Sequence, residues 1–143
     1  MYFSNYQYQY MAPNDKVSYK HFLKVEQDHI DNLNHVNNAV YLQWVQEVAY
    51  LHWNELAPKK IRDAYVWMIL RHEIDYLQQA YLNDDITIYT WIDESNGVKS
   101  TRVVHIYCSE KLLTTSKTTF CLLDKKNLRP KRISPEILQL FTK

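Results

Sequence analysis

Hydrophobic positions recur along this chain in two different rhythms. Over Val17–Glu26 they alternate, with Tyr19, His21, Leu23 and Val25 on one face, and this predicts a strand. Between Asn38 and Leu56 the spacing changes to threes and fours. Tyr41, Trp44, Val45, Val48, Leu51 and His52 share one face, while Gln43, Glu47, Tyr50 and Asn54 occupy another. That spacing predicts a long helix, capped by Asn37 or Asn38 and followed by Pro58. Val40, Leu42, Ala49 and Trp53 widen its apolar surface, so the helix is expected to be largely enclosed, as though a sheet wrapped around it.

Four further strands are predicted over Tyr65–Tyr76, Ile86–Asp93, Thr101–Cys108 and Leu112–Leu123. The polar stretch Gln78–Tyr81 between the first two has no clear periodicity. Asn96-Gly97 is a type I′ hairpin signal, with the single glycine of the chain where the backbone needs positive φ. Ser134-Pro135-Glu136 opens a short C-terminal helix. One strand, one long helix and then an antiparallel meander make an α+β architecture in which a sheet wraps one helix.

The chain has 143 residues, which suits a single core over 16–143, with the tyrosine-rich residues 1–15 read as an N-terminal tail. No window is apolar enough for a membrane span, and the N-terminus lacks the pattern of a signal peptide, so a soluble cytoplasmic protein is expected. The net charge of +1 argues against a nucleic-acid partner. Cys108 and Cys121 match no zinc spacing and read as reduced thiols, so neither a metal nor another cofactor is expected.

The chemistry concentrates in Asp31-Asn-Leu-Asn-His35-Val-Asn-Asn38, which leads directly into the helix. A helix start offers unpaired N–H groups and a positive dipole end to a developing oxyanion, and a nearby carboxylate offers a base. Together they suit attack on a polarised carbonyl. Asp31 also suits an Asx turn, and Asn37 and Asn38 suit plain capping.

The pattern Asp31-x-x-x-His35-Val36-Asn37-Asn38-x-x-Tyr41-x-x-Trp44 resembles hotdog-fold thioesterases of the 4-hydroxybenzoyl-CoA thioesterase type, and is similar to the motif of acyl-ACP thioesterases. Ile74-Asp75-Tyr76-Leu77, Asn83-Asp84-Asp85 and Arg129-Pro130 extend the likeness from about Val17 to the end of the chain. The resemblance implies a hotdog fold and hydrolysis of acyl-CoA, or alternatively of acyl-ACP. Asp31 would be base or nucleophile, and the backbone N–H of Asn38 the oxyanion donor. His35 would either contact the substrate carbonyl and orient Asp31, or brace the loop.

Asn34, Asn37, Tyr41, Lys99, Ser100 and Arg102 are candidate substrate-binding residues, the last three together with Arg129, Lys131 and Arg132 for coenzyme A phosphates or an acidic carrier protein. Glu47, on the polar helix face, is a reserve catalytic carboxylate. His29 departs from the family by replacing an acid, and Asn34 by replacing a glycine. Trp44, Trp67, Tyr76 and Trp91 are expected mainly in the core, some lining an acyl tunnel. The resemblance further implies a homodimer or homotetramer with sites between subunits. A non-catalytic acyl-CoA-binding module is the reading from a different functional class, and a dehydratase a third.

Overall fold

Five antiparallel strands in the order β1-β3-β4-β5-β2 form the frame of the molecule. They are β1 (Ser18–Lys24), β2 (Tyr65–Tyr76), β3 (Asp85–Asn96), β4 (Lys99–Cys108) and β5 (Lys111–Asp124), and the helices are α1 (Asn38–Leu56), α2 (Lys59–Ala64) and α3 (Pro135–Leu138). These elements belong to a computed structural model that describes residues 12–143. Most of the segment read as a tail therefore lies outside the described residues. Its described end is tied down, because the Lys143 N–H donates to the Asp15 carbonyl and the Val17 N–H to that of Phe141.

The curved sheet lays one face on α1 in the hotdog arrangement that the resemblance implied. Val40, Tyr41, Trp44, Val45 and Val48 pack against Ile86 and Ile88 of β3, Val104 and Ile106 of β4, and Leu113 of β5. A second apolar cluster gathers Ala57, Ile61, Leu122, Ile133, Ile137 and Phe141 beyond the C-terminal end of α1. Burying a side chain of this size contributes roughly 1.5–3 kcal/mol, so these clusters are what hold helix to sheet.

Between the clusters lies a polar layer. His52, Thr90, Ser100, Arg102, Ser116 and Thr118 are all buried. On β5 it is Thr114, Ser116 and Thr118 that pair across from Ile106, Val104 and Arg102.

Three expectations change. First, α1 is less enclosed than its composition suggested: Gln43, Gln46, Glu47 and Tyr50 face outward, and Leu51 is only half-buried. Second, the β3–β4 loop is Gly97-Val98, because Asn96 still pairs with Lys99. Only Gly97 has positive φ there (+64°), which fits a type II′ turn and not type I′. Third, α2 forms directly after Pro58, where only the end of α1 was expected.

The outer edge of β2 pairs with no strand among the described residues. It is twelve residues long and carries exposed Val66, Met68, Ile69 and Leu70. A free apolar edge of this length is a template for pairing with another chain.

Candidate active site

The loop from β1 to α1 closes on itself through backbone pairing. The Asp31 N–H donates to the His35 carbonyl (3.0 Å), the Asn37 N–H donates to the His29 carbonyl (3.0 Å), and Ile30 bridges Val36. This small antiparallel closure returns the chain so that Asp31 and His35 stand together just before the head of α1. The turn requires a left-handed residue, and Asn34 supplies it with φ +65°. Asparagine adopts that conformation more readily than most residues, which is how the loop dispenses with glycine.

Asp31 Oδ1 accepts the Leu33 N–H (2.9 Å), so the expected Asx turn is present. Among the described residues nothing donates to its second carboxylate oxygen. His35 Nδ1 lies 3.9 Å from Asp31 Oδ1 and 3.3 Å from the Val36 carbonyl. The carboxylate is only about a quarter exposed (26%), enough for a substrate atom to reach it. Asn37 caps the helix, its Oδ1 accepting the Ala39 N–H (2.9 Å). Asn38, the first helical residue, keeps its own N–H free of any acceptor among the described residues. Such an amide is one of the unpaired donors at a helix start, aligned with the positive end of the dipole.

The loop is held from behind. The Val36 N–H donates to the Ala80 carbonyl (2.9 Å), and the Ala80 N–H donates to the Tyr41 phenol oxygen (3.1 Å). Tyr41 is buried, and burial raises its phenol above the ordinary value. It therefore braces Ala80 and does not open toward the loop surface. Through Ala80, the Gln78–Tyr81 stretch after β2 takes its role as a support for the loop. His29 is likewise committed to structure: its Nδ1 accepts the Glu26 N–H (2.8 Å) and its ring meets Trp44 edge-on.

The remaining candidates lie elsewhere. Glu47 is exposed on the outward face of α1, about 13 Å along the axis from Asn38 at 1.5 Å per residue. Lys99 and Ser100 begin β4, which runs Lys99–Cys108, so they stand roughly 27–30 Å from the strand end nearest the loop. Ser100 is buried, its hydroxyl sharing a hydrogen bond with Ser95 (2.9 Å).

Arg102 does not reach a surface phosphate site. It is 3% exposed, and Nη1 donates to His52 Nδ1 and Thr90 Oγ1, both at 2.9 Å. Its phase in β4, shared with Ser100, Val104 and Ile106, was a readable sign that it points inward. Lys99 instead belongs with the C-terminal cations. Backbone bonds from Lys131 to Leu122 and from Ile133 to Gly97 lay Arg129, Lys131 and Arg132 beside the β3–β4 turn, all exposed.

Sequence reasoning missed two features. Tyr76, expected in the core, is 40% exposed, and its hydroxyl donates to the Asn38 carbonyl at the helix head (3.2 Å). A cavity of about 440 Å³ opens between the C-terminal half of α1 and β2, lined by Trp53, Trp67, Phe120 and Arg102 among others. Trp67 is thus in a pocket wall, while Trp44 and Trp91 are buried as expected.

Residues 25–141 match the family model of the thioesterase-like superfamily. The long-chain acyl-CoA thioesterase FadM of Escherichia coli K12 is 26% identical over 125 residues, covering 80% of this chain and 90% of that protein. Among solved structures, the probable thioesterase YbaW of Escherichia coli superposes with a TM-score of 0.73 at 23% identity, over 85% of this chain and 94% of that one. A hypothetical Staphylococcus aureus protein solved in complex with CoA gives 0.77 at 18% identity, over 91% and 85%.

Proposed function

Because the chain belongs to the thioesterase-like superfamily, we propose that it hydrolyses acyl-CoA thioesters at the loop between β1 and α1. The observation that carries this reading is the pairing, in one closed loop, of the Asp31 carboxylate with the unpaired Asn38 N–H at the head of a nineteen-residue helix. The similar proteins include one named for acyl-CoA hydrolysis and one solved with CoA, which supports the carrier.

Asp31 takes a proton from water as the water oxygen adds to the thioester carbon. The carbonyl oxygen becomes an oxyanion that accepts the Asn38 N–H. The tetrahedral intermediate then expels the CoA thiolate, which collects the proton, leaving a free carboxylic acid. A thiol with pKa near 8.5 is a good leaving group, so no strong acid is required. Alternatively, the Asp31 carboxylate adds to the carbonyl carbon, the C–S bond breaks to release the CoA thiolate, and water hydrolyses the resulting anhydride to the free acid and the restored Asp31 carboxylate. His35 positions Asp31 in either route, and Asn34 and Asn37 hold the substrate side of the loop.

The working unit in this reading is at least a homodimer. Two-fold pairing of the free β2 edges sets the Tyr76 end of one copy against the Tyr65 end of the other. Lys99, Arg129, Lys131 and Arg132, too far from the loop of their own chain, then lie on the side of the partner's loop and suit the phosphates of coenzyme A.

A panel of acyl-CoA chain lengths, compared with acyl-ACP and followed by thiol release, tests the proposal. Release from at least one acyl-CoA is expected. Tight acyl-CoA binding without release across the panel would replace hydrolysis by the binding-module reading.

A further inference from the structure

The cavity beside β2 has a floor that an acyl-chain pocket of purely apolar character does not need. Its walls are aromatic, with Trp53 and Trp67 meeting edge-on at 5.6 Å and Phe120 packed on Trp67 at 6.3 Å. Arg102 and Ser100 line the same space. Burial lowers the Arg102 guanidinium to about 9, so the group is still charged at neutral pH.

This charge has no carboxylate. Among the described residues no ion pair involves Arg102. Its recorded bonds, to His52 and Thr90, both come from Nη1, and both partners are neutral there. His52 is 0% exposed and held unprotonated, about 3, by burial and then by the Arg102 charge itself. Nε and Nη2 donate to no described residue. A buried cation without an anionic partner is costly, and buried charges are normally paired. A guanidinium with its remaining donors on a ligand-sized cavity is a fork for a carboxylate, which accepts two parallel N–H bonds. At the lip of the cavity, Arg62 and Lys125 outnumber Asp63, which Lys59 already pairs at 2.6 Å. The balance of charge around the opening is positive.

We infer that this cavity binds an organic carboxylate with an apolar body, Arg102 gripping the carboxylate while Trp53, Trp67 and Phe120 enclose the body. Along α1, His52 stands about 21 Å from Asn38, so the cavity is remote from the loop of its own chain. Under the two-fold β2 pairing of the proposed function, on which this step rests, the opening adjoins the partner's loop. The preferred substrate class is then an acyl-CoA whose far end carries a carboxylate.

Calorimetry on the intact protein separates the two levels, because it needs no turnover. The probes are 4-phenylbutanoate and 4-phenylbutan-1-ol, which share a body and differ in the charged end. The acid is expected to bind at least tenfold more tightly, with Arg102→Lys keeping part of that preference and Arg102→Gln losing it. Equal affinities in the unmodified protein, no binding of either probe, or an unchanged preference in Arg102→Gln would overturn the inference. The unmodified protein alone decides the matter if Arg102→Gln fails to fold. For the substrate, kcat/KM for adipoyl-CoA should exceed that for hexanoyl-CoA at least tenfold, and a reversed order would overturn the substrate class. Failure to release thiol from any acyl-CoA of the panel, with the acid still bound selectively, would defeat the proposed function and leave the carboxylate site standing.

Discussion

The hydroxyl of Tyr76, last residue of the free edge strand, donates to the carbonyl of Asn38, first residue of the long helix (3.2 Å). The free edge strand and the head of the long helix are therefore joined by a single side-chain hydrogen bond. Tyr76 also meets Tyr41 at 5.8 Å, behind the same helix turn. Tyr76→Phe keeps the ring and removes the bond. Stability should fall by about 0.5–1.5 kcal/mol, at the lower end because the side chain is partly exposed. Turnover should fall several-fold. Thermal unfolding and thiol release measure the two effects.

The β2 edge should control assembly and activity together. Ile69→Lys with Leu70→Lys places charge on exposed apolar positions that a two-fold contact repeats in both copies. Each lost apolar burial costs about 1.5–3 kcal/mol, so association should weaken by at least a hundredfold. Sedimentation should show a dimer becoming a monomer, with hydrolysis lost in parallel. A fully active monomer would contradict the shared site.

Asn34 should tolerate glycine and resist branched residues. Asn34→Gly keeps the +65° backbone accessible, whereas Asn34→Val forces a strained conformation costing about 1–2 kcal/mol. Denaturant unfolding should show near-wild-type stability for the first and a clear loss for the second, with a larger loss of turnover because Asp31 sits in the same turn.

Acid should destabilise the fold through His52. Its folded pKa of about 3 lies below the ordinary 6.5, held down by burial and then by Arg102, with Tyr19 stacked on the ring at 5.4 Å. Between these values the unfolded chain binds a proton that the folded chain does not. The contribution is complete above pH 6.5 and is lost as pH falls toward 3. His52→Asn, which keeps an acceptor for Arg102, should flatten the fall in unfolding midpoint across that window.

The long helix was legible to the residue because Asn37 caps it and its apolar spacing is unbroken. The strand over Tyr65–Tyr76 was equally plain. The proximity of Asp31 and His35 could be read because the two are close in sequence and local backbone bonds bring them together. What escaped depends on long-range packing. Arg102 was read as a surface cation because charge usually is, yet its strand phase turns it toward His52, fifty residues away. Thr114, Ser116 and Thr118 were unremarked, since buried hydroxyls on a sheet's helix-facing side carry no distinct pattern. The hairpin slipped by one residue because Asn-Gly suits a type I′ turn, while the strand register, set by packing, keeps Asn96 in the ladder. The six-residue α2 is too short for periodicity to reveal.

The most direct measurement is thiol release by Asp31→Asn on the acyl-CoA that the unmodified protein hydrolyses best. The amide can still accept the Leu33 N–H, so the loop should keep its shape and the unfolding midpoint its value. The account predicts a drop in kcat of at least a hundredfold with acyl-CoA binding retained. Turnover at the original rate in a folded variant would show that the base, and with it the assigned site, lies elsewhere.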